Sequence, residues 1–344
     1  MHAKKSMSQE AAVLQVTEAG LYCAAGDFFV DPWRPVERAV ITHAHSDHAR
    51  PGCDAYLCAA EGRAVLAARV GAKAVINTLS YGERKRVGDT MVSLHPAGHI
   101  LGSAQVRVET EAGVWVVSGD YNNSTATPAC AAFEPVHCDV FITESTFGLP
   151  IYRWPTPQTV FAEIHRWWAA NRAEGLTSVL PAYPLGKSQR LLAGLDAGEG
   201  PIAVHGNVRT FLPLYEAAGI RLAPTVPLTE QTAPEIRGKG LVIMSSAARE
   251  TGVLRKLGPL SYAFASGWMQ TRAARRSRDG DRGFVLSDHA DWPGLLAAVE
   301  ATGASRIGVT HGELDSFTRY LRDRGYDAFP VPTRFTGEGS GVGG

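Results

Sequence analysis

Three imidazoles and a carboxylate fall within one hexamer, His43-Ala44-His45-Ser46-Asp47-His48, directly after the strand-like run Ala39–Thr42. Neutral imidazole nitrogens and carboxylate oxygens suit Zn²⁺ and similar borderline ions. In an extended chain, side chains two residues apart share a face, so His43 and His45 can point together. A turn after them swings Asp47 and His48 to a second position. One short loop can then feed two adjacent metal ions. The competing reading is a chance surface run of histidine. With 11 His in 344 residues, three within six positions speak against chance.

At about 150 residues per domain, this length implies two domains or one domain with a large insertion. Hydrophobic residues make up 45% and charged residues 20%, which excludes wholesale disorder and coiled-coil or collagen-like architectures. No apolar run approaches the roughly 18 residues of a membrane span. The N-terminus lacks the apolar stretch of a signal peptide, so a cytoplasmic protein with no membrane partner is expected. Lys+Arg and Asp+Glu are both 34, so a nucleic acid would have to be held by a local basic patch. The odd count of five cysteines, Cys23, Cys53, Cys58, Cys130 and Cys138, predicts free thiols in a reducing compartment.

Short β-branched runs alternate with longer helical patterns. Strands are predicted at Ala39–Thr42, Ala74–Asn77, Gln105–Thr110, Val114–Ser118, Val140–Thr143, Ser178–Ala182, Ile202–His205, Leu241–Met244, Ala263–Ala265, Phe284–Leu286 and Ile307–Thr310. Helices are predicted at Gln158–Arg172, Ser188–Leu195, Val208–Ala218, Trp292–Ala301 and Ser316–Arg324, with Pro213 inside the third. Gly113 marks a hairpin turn. Residues 177–265 form strand–helix repeats and predict a largely parallel α/β segment.

The hexamer resembles the HxHxDH signature of the metallo-β-lactamase fold. Ala97-Gly98-His99 and Ser118-Gly119-Asp120 fit that family's third and fourth motifs, and Asp31 in Val30-Asp31-Pro32 resembles its first-motif Asp, which orients ligands. Three further motifs follow in order: Glu144 in Ile142-Thr143-Glu144-Ser145-Thr146, His289 in Leu286-Ser287-Asp288-His289, and His311 in Val309-Thr310-His311-Gly312-Glu313. These resemble motifs A, B and C of the β-CASP nucleases, which include the Artemis-type DNA nucleases, the mRNA 3′-end cleavage factor and the RNases J. Ala182–Gln189 looks like part of their inserted domain. Within the branch, the chain looks most like the bacterial ligase-associated DNA exonucleases.

The resemblance implies an α/β fold, an αββα metallo-β-lactamase sandwich with an inserted α/β β-CASP domain. The expected division is 12–145 for the first part of the sandwich, 146–263 for the insertion, 264–335 for the completing part and 336–344 for a flexible tail. It implies two divalent ions, Zn²⁺ or Mn²⁺, with His43, His45, His99 and Asp120 on the first and Asp47, His48, Asp120 and His311 on the second. The implied reaction is two-metal phosphodiester hydrolysis of DNA, with exonucleolytic end processing or repair as its setting. His289 is the implied proton donor to the leaving oxygen, with Glu144 orienting it. Functional association with a DNA ligase or helicase follows from the resemblance alone. His311 pulls the other way, because His at motif C is typical of RNA-acting members. A small-molecule metallohydrolase is a further alternative, as is a catalytically dead scaffold, though here every ligand position is filled.

Gln270–Arg282 carries five arginines, Arg272, Arg275, Arg276, Arg278 and Arg282, suited to phosphate contact or to a solvated loop. Trp268 just before them can stack on a base or pack in the core. Gly186-Lys187-Ser188 looks like the end of a P-loop, but the Gly required five residues earlier is Pro181. Lys187 and Ser188 are expected instead to begin a helix whose N-terminus faces a substrate phosphate. Glu83-Arg84-Lys85-Arg86 is expected to be a charged turn.

Overall fold

The structure is a computed structural model that describes residues 12–124, 129–248, 252–271 and 282–334. Alternation of apolar side chains along short strands builds three sheets. The first runs in the order β1 (Gln15–Thr17), β2 (Gly20–Cys23), β3 (Phe28–Val30), β4 (Arg38–Val40), β5 (Ala55–Ala59) and β6 (Ile76–Leu79). Its first three strands are antiparallel; β3 to β6 are parallel, and the helix Arg63–Val70 makes the crossover from β5 to β6.

The second sheet begins as an antiparallel meander of β7 (Arg84–Val87), β8 (Thr90–Pro96), β9 (Ala104–Thr110) and β10 (Gly113–Val117). It continues in parallel through β11 (Val140–Ser145), β18 (Arg306–Gly312) and β19 (Asp327–Pro330). The third sheet consists of β12 (Thr177–Pro181), β13 (Ile202–Val204), β14 (Val226–Pro227), β15 (Leu241–Met244), β16 (Leu260–Ala265) and β17 (Arg282–Phe284), all parallel. It lies wholly between β11 and β18 in sequence, yet those two strands are hydrogen-bonded neighbours.

The two-residue period of a strand decides which core each side chain joins. In β10 and β11, Trp115, Val117, Val140 and Ile142 meet Val30, Val40 and Leu57 of the first sheet, so these two sheets share a core. The intervening Val116 and Phe141 point away and pack on Trp292, Leu295, Phe317 and Leu321 of the helices Trp292–Thr302 and Leu314–Asp323. Likewise Ala39, Tyr56 and Cys58 turn outward onto Val65 and Leu66 of the Arg63–Val70 helix. The third sheet has its own two cores. Leu180, Val204 and Ile243 face Ile164 and Trp168 of the helix Pro157–Ala173, while Val179, Ala203 and Val242 face Ile236 and Leu257.

The mixed α/β class stands, and so does the parallel segment expected over 177–265. Several details differ from expectation. β17 pairs with β16, so the third sheet extends past residue 263 to Phe284. The helix expected over Val208–Ala218 is two, Gly206–Arg209 and Leu212–Ala217. Pro213 falls in the first turn of the second, where its missing N–H costs no hydrogen bond. The basic cluster at Arg84–Arg86 is an edge strand, not a turn; charged side chains there discourage pairing with another chain. The strands β1, β2 and β3, of three or four residues each, were too short to show a period. All five cysteines are free. Among the described residues no helix is long and apolar enough to cross a membrane. The expected tail at 336–344 lies outside the described residues.

Phe141 is fully buried between the second sheet and its two helices. Phe141→Ala is expected to lower the unfolding free energy by about 3–5 kcal/mol, measured by chemical denaturation.

Candidate metal centre

Parallel strands deliver their C-terminal ends to one edge, where open α/β sheets place their sites. Asp31 follows β3, His43 lies just past β4, Asp120 just past β10, and Glu144 and His311 close β11 and β18. His99 comes from the loop joining β8 to β9. The loop carrying Asp120 comes so near the His43 loop that a Cβ on Gly119 would stand 2.6 Å from Cβ of Thr42; Gly119 also has φ +56°. Asp31 and His311 adopt φ of +44° and +51°. That left-handed region costs an L-residue on the order of 1–3 kcal/mol and persists where the surroundings enforce it.

Hydrogen bonding fixes which ring nitrogen of each imidazole faces inward. Thr42 Oγ1 donates to Asp31 Oδ2 at 2.5 Å and therefore accepts from His43 Nδ1 at 3.1 Å. His45 Nε2 donates to the Leu185 carbonyl at 3.1 Å, and His99 Nδ1 donates to the Asp288 carbonyl at 2.9 Å. With the outer nitrogens carrying the protons, the neutral rings turn lone pairs toward one another. His43 Nε2 and His99 Nε2 lie 3.2 and 3.1 Å from His45 Nδ1. Such lone pairs repel unless a cation lies among them. With Asp120 they form one compact donor set, and Asp120 Oδ2 is 3.6 Å from His43 Nε2 and 3.9 Å from His99 Nε2.

Asp47, His48 and His311 form a second set. His48 Nδ1 donates to Asp31 Oδ2 at 2.7 Å, which turns its Nε2 toward Asp120 Oδ2 at 3.5 Å and Asp47 Oδ2 at 3.8 Å. His48 Nε2, His311 Nδ1 and Asp120 Oδ1 are buried with no hydrogen-bond partner among the described residues. Buried polar atoms are normally satisfied, so these atoms, with their N and O chemistry, fit divalent metal ions. Asp120 belongs to the first set, and its Oδ2 lies 3.5 Å from His48 Nε2 of the second.

The electrostatics agree. Burial pushes His43 and His99 well below the ordinary histidine range, and it lowers His311 too. Burial also acts against charge on His48, but the carboxylates of Asp120, Asp47 and Asp31 outweigh it and raise that pKa well above the ordinary value. Burial opposes ionisation of Asp120, yet His48 and His289 hold its carboxyl well below the usual range. The protein alone thus favours a positive charge beside Asp120.

A third group, Asp120, Glu144 and His289, adjoins the first two. His289 Nδ1 donates to both Glu144 oxygens at 2.9 and 2.8 Å, and Glu144 Oε1 also accepts from the Tyr121 amide at 2.8 Å. His289 Nε2 is left 4.0 Å from Asp120 Oδ2. The structure therefore brings Asp31, His43, His45, Asp47, His48, His99, Asp120, Glu144, His289 and His311 into one place.

It does not bring Lys187 and Ser188 to a substrate surface. Both are buried: Lys187 Nζ lies 3.3 Å from Asp288 Oδ2, and Ser188 Oγ donates to the Tyr183 carbonyl at 2.7 Å. Internal pairing replaces the phosphate contact expected of them. Trp268 is half-buried in an aromatic cluster with Phe147 and Tyr152, ring centroids 4.9 and 5.6 Å away, which favours packing over base stacking. Arg272, Arg275, Arg276 and Arg278 lie outside the described residues. Arg282 is exposed and lines a cleft of about 730 Å³ with Arg153, Trp154 and Gln270; Trp154 Nε1 donates to the His289 carbonyl at 3.0 Å.

Three contributors escaped sequence reasoning: the Thr42 hydroxyl and the carbonyls of Leu185 and Asp288. The hydroxyl next to the hexamer was a usable signal. The carbonyls had none, since every residue carries one. After dialysis against Zn²⁺ the protein is expected to hold about two ions per chain, counted by elemental analysis. Asp120→Ala, which removes a carboxylate of the first set that adjoins the second, is expected to leave fewer than one.

No family model matches the chain. A probable DNA ligase of Opitutus terrae is 34% identical over 314 residues, 91% of this chain and 30% of that protein. The RNase aCSPSF2 of Saccharolobus solfataricus is 31% identical over 129 residues, 37% of this chain and 26% of that protein. The endoribonuclease ysh-1 of Neurospora crassa is 28% identical over 148 residues, 42% of this chain and 17% of that protein. The chain thus spans less than a third of the length of each of these relatives. Among solved structures, a protein of unknown function from Enterococcus faecalis V583 shares the fold, with a TM-score of 0.59 at 12% identity over 86% of this chain and 79% of that one. With the residues of the hexamer and of the later motifs gathered in one place, these likenesses show that the chain belongs to the β-CASP metallo-β-lactamase nuclease family.

Proposed function

We propose that this protein is a metal-dependent nuclease that hydrolyses phosphodiester bonds of DNA, acting as an exonuclease in end processing or repair. The observation that carries this reading is the meeting of two donor sets at Asp120, with the His289–Glu144 pair beside them. A relative named as a probable DNA ligase aligns with 91% of the chain, which supports DNA as substrate and work near a ligation step. On this reading, the first two sheets with their outer helices are the αββα metallo-β-lactamase sandwich. The third sheet and its helices are the inserted β-CASP domain.

Two divalent ions, Zn²⁺ by ligand type and Mn²⁺ as an acceptable substitute, would lower the pKa of a water to about 7 and offset charge on the phosphoryl oxygens. The chain's own residues do the rest. His43, His45, His99 and Asp120 would hold one ion, and Asp47, His48, Asp120 and His311 the other. Asp31 binds Thr42 and His48 and thereby fixes how the rings point. Glu144 keeps the Nδ1 proton of His289 in place, which leaves Nε2 to deliver a proton to the departing 3′ oxygen.

An RNA substrate is the second reading. His311 stands in the second donor set, and several relatives are named as ribonucleases. Matched DNA and RNA oligonucleotides, labelled at either end and incubated with Mn²⁺ or Zn²⁺, separate the two. Stepwise shortening of DNA is expected, abolished by His43→Ala and slowed about 10²–10⁴-fold by His289→Ala. Preferential cutting of RNA overturns the DNA assignment. Turnover of small esters with both nucleic acids inert overturns the nuclease reading.

A further inference from the structure

The segment that resembles the end of a P-loop reaches into the metal centre from the third sheet. It leaves β12, passes Leu185 and Gly186, and enters the helix Lys187–Gly194. The Leu185 carbonyl accepts from His45 Nε2. Gly186, at φ +92°, lies so near that a Cβ there would stand 2.4 Å from Ile100 Cγ2 and 3.5 Å from His45 Nε2. Two cations of this helix then converge on one carboxylate. Lys187 Nζ is 3.3 Å from Asp288 Oδ2 and donates to the Leu286 carbonyl at 3.4 Å, while Arg190 Nη1 is 3.7 Å from Asp288 Oδ1. The relative exposures of Lys187, Arg190 and Asp288 are 1%, 4% and 1%. A buried ion pair seldom stabilises more than well-packed apolar residues of the same volume, so packing alone does not account for this cluster.

What the cluster holds is the Ser287–His289 turn. Asp288 turns its carboxylate to Lys187 and Arg190 and its carbonyl to His99 Nδ1. The next residue, His289, has its amide on Ser287 Oγ and its ring on Glu144. Partners one step removed from a metal-ligating histidine commonly affect metal affinity 10–100-fold.

We propose that Lys187 and Arg190 are positioning residues. By clamping Asp288 they set its carbonyl against His99 and hold His289 beside Asp120, so that the third-sheet unit orients part of a metal centre built on the other two sheets. This rests on the reading of the centre as a metal site. It gives Lys187 a role inside the protein in place of phosphate binding.

The test uses the full chain loaded with Co²⁺, which reports ligand geometry in its visible spectrum. Lys187→Met leaves Arg190 on Asp288, and it is expected to fold, to bind Co²⁺ about 10–100-fold more weakly and to show an altered spectrum. On an oligonucleotide its kcat is expected to fall by a similar factor, with KM within about twofold. Lys187→Arg is expected to recover most of both. Should Lys187→Met fail to fold, Arg190→Gln gives the same readings with the Lys187 contact intact. Wild-type Co²⁺ affinity and spectrum in these variants would overturn the clamp, as would a raised KM at unchanged kcat. Wild-type protein that takes up no Co²⁺ would overturn the metal reading and the clamp with it.

Discussion

The lone pairs of His43 and His99 each come within 3.2 Å of that of His45, beside the carboxylate of Asp120. Left to themselves these groups would rotate apart or take up protons. They stay because each ring is tied at its far nitrogen to a hydroxyl or a carbonyl that cannot follow it. Repulsion at the centre is thus offset by hydrogen bonds at the periphery, and most of the surrounding structure supplies that periphery. Asp31 contributes most: one carboxylate accepts from the Thr42 amide, the Thr42 hydroxyl and His48 Nδ1, and so links the two donor sets.

The sheets make such a gathering feasible. Two sheets with a common core bring their strand ends to one edge, and their rigid packing limits how far a ligand can drift. The third sheet adds a second anchorage. The segment that leads from Leu185 into the helix Lys187–Gly194 touches His45 through the Leu185 carbonyl and Asp288 through Lys187, two points that follow strands of different sheets. Arg190 and Lys187 bring two buried positive charges there, and these hold the Asp288 carboxyl low although burial alone would raise it.

Local motifs were legible in the sequence, and long-range placements were legible only through them. His43, His45, Asp47 and His48 announce themselves because their spacing carries the chemistry. His99, Asp120, Glu144, His289 and His311 needed the order of several motifs together. Lys187 was misread because a lysine at a helix start looks the same whether it faces solvent or an internal carboxylate; only the fold shows Asp288 waiting for it. Thr42 was passed over as strand. Strands of three residues show no period, and Arg84–Val87 lacked an apolar face by which to be recognised. The strand predicted at Phe284–Leu286 lies at Arg282–Phe284, and its place in the third sheet was hidden because that depends on pairing with β16 and not on composition.

The pairing of β11 with β18 bears on how the chain assembles. During synthesis, Val140–Ser145 emerges long before Arg306–Gly312, and until then its fully buried face has no neighbour on that side. The second sheet therefore ends at β11 while the third is being made. The third sheet, with two cores of its own, can consolidate meanwhile, since units with local contacts form first. The last strands, β18 and then β19, add to the open edge of β11, and only then does His311 join Asp47 and His48. The second donor set is thus complete only once β18 has paired with β11, after the whole of the third sheet has been made.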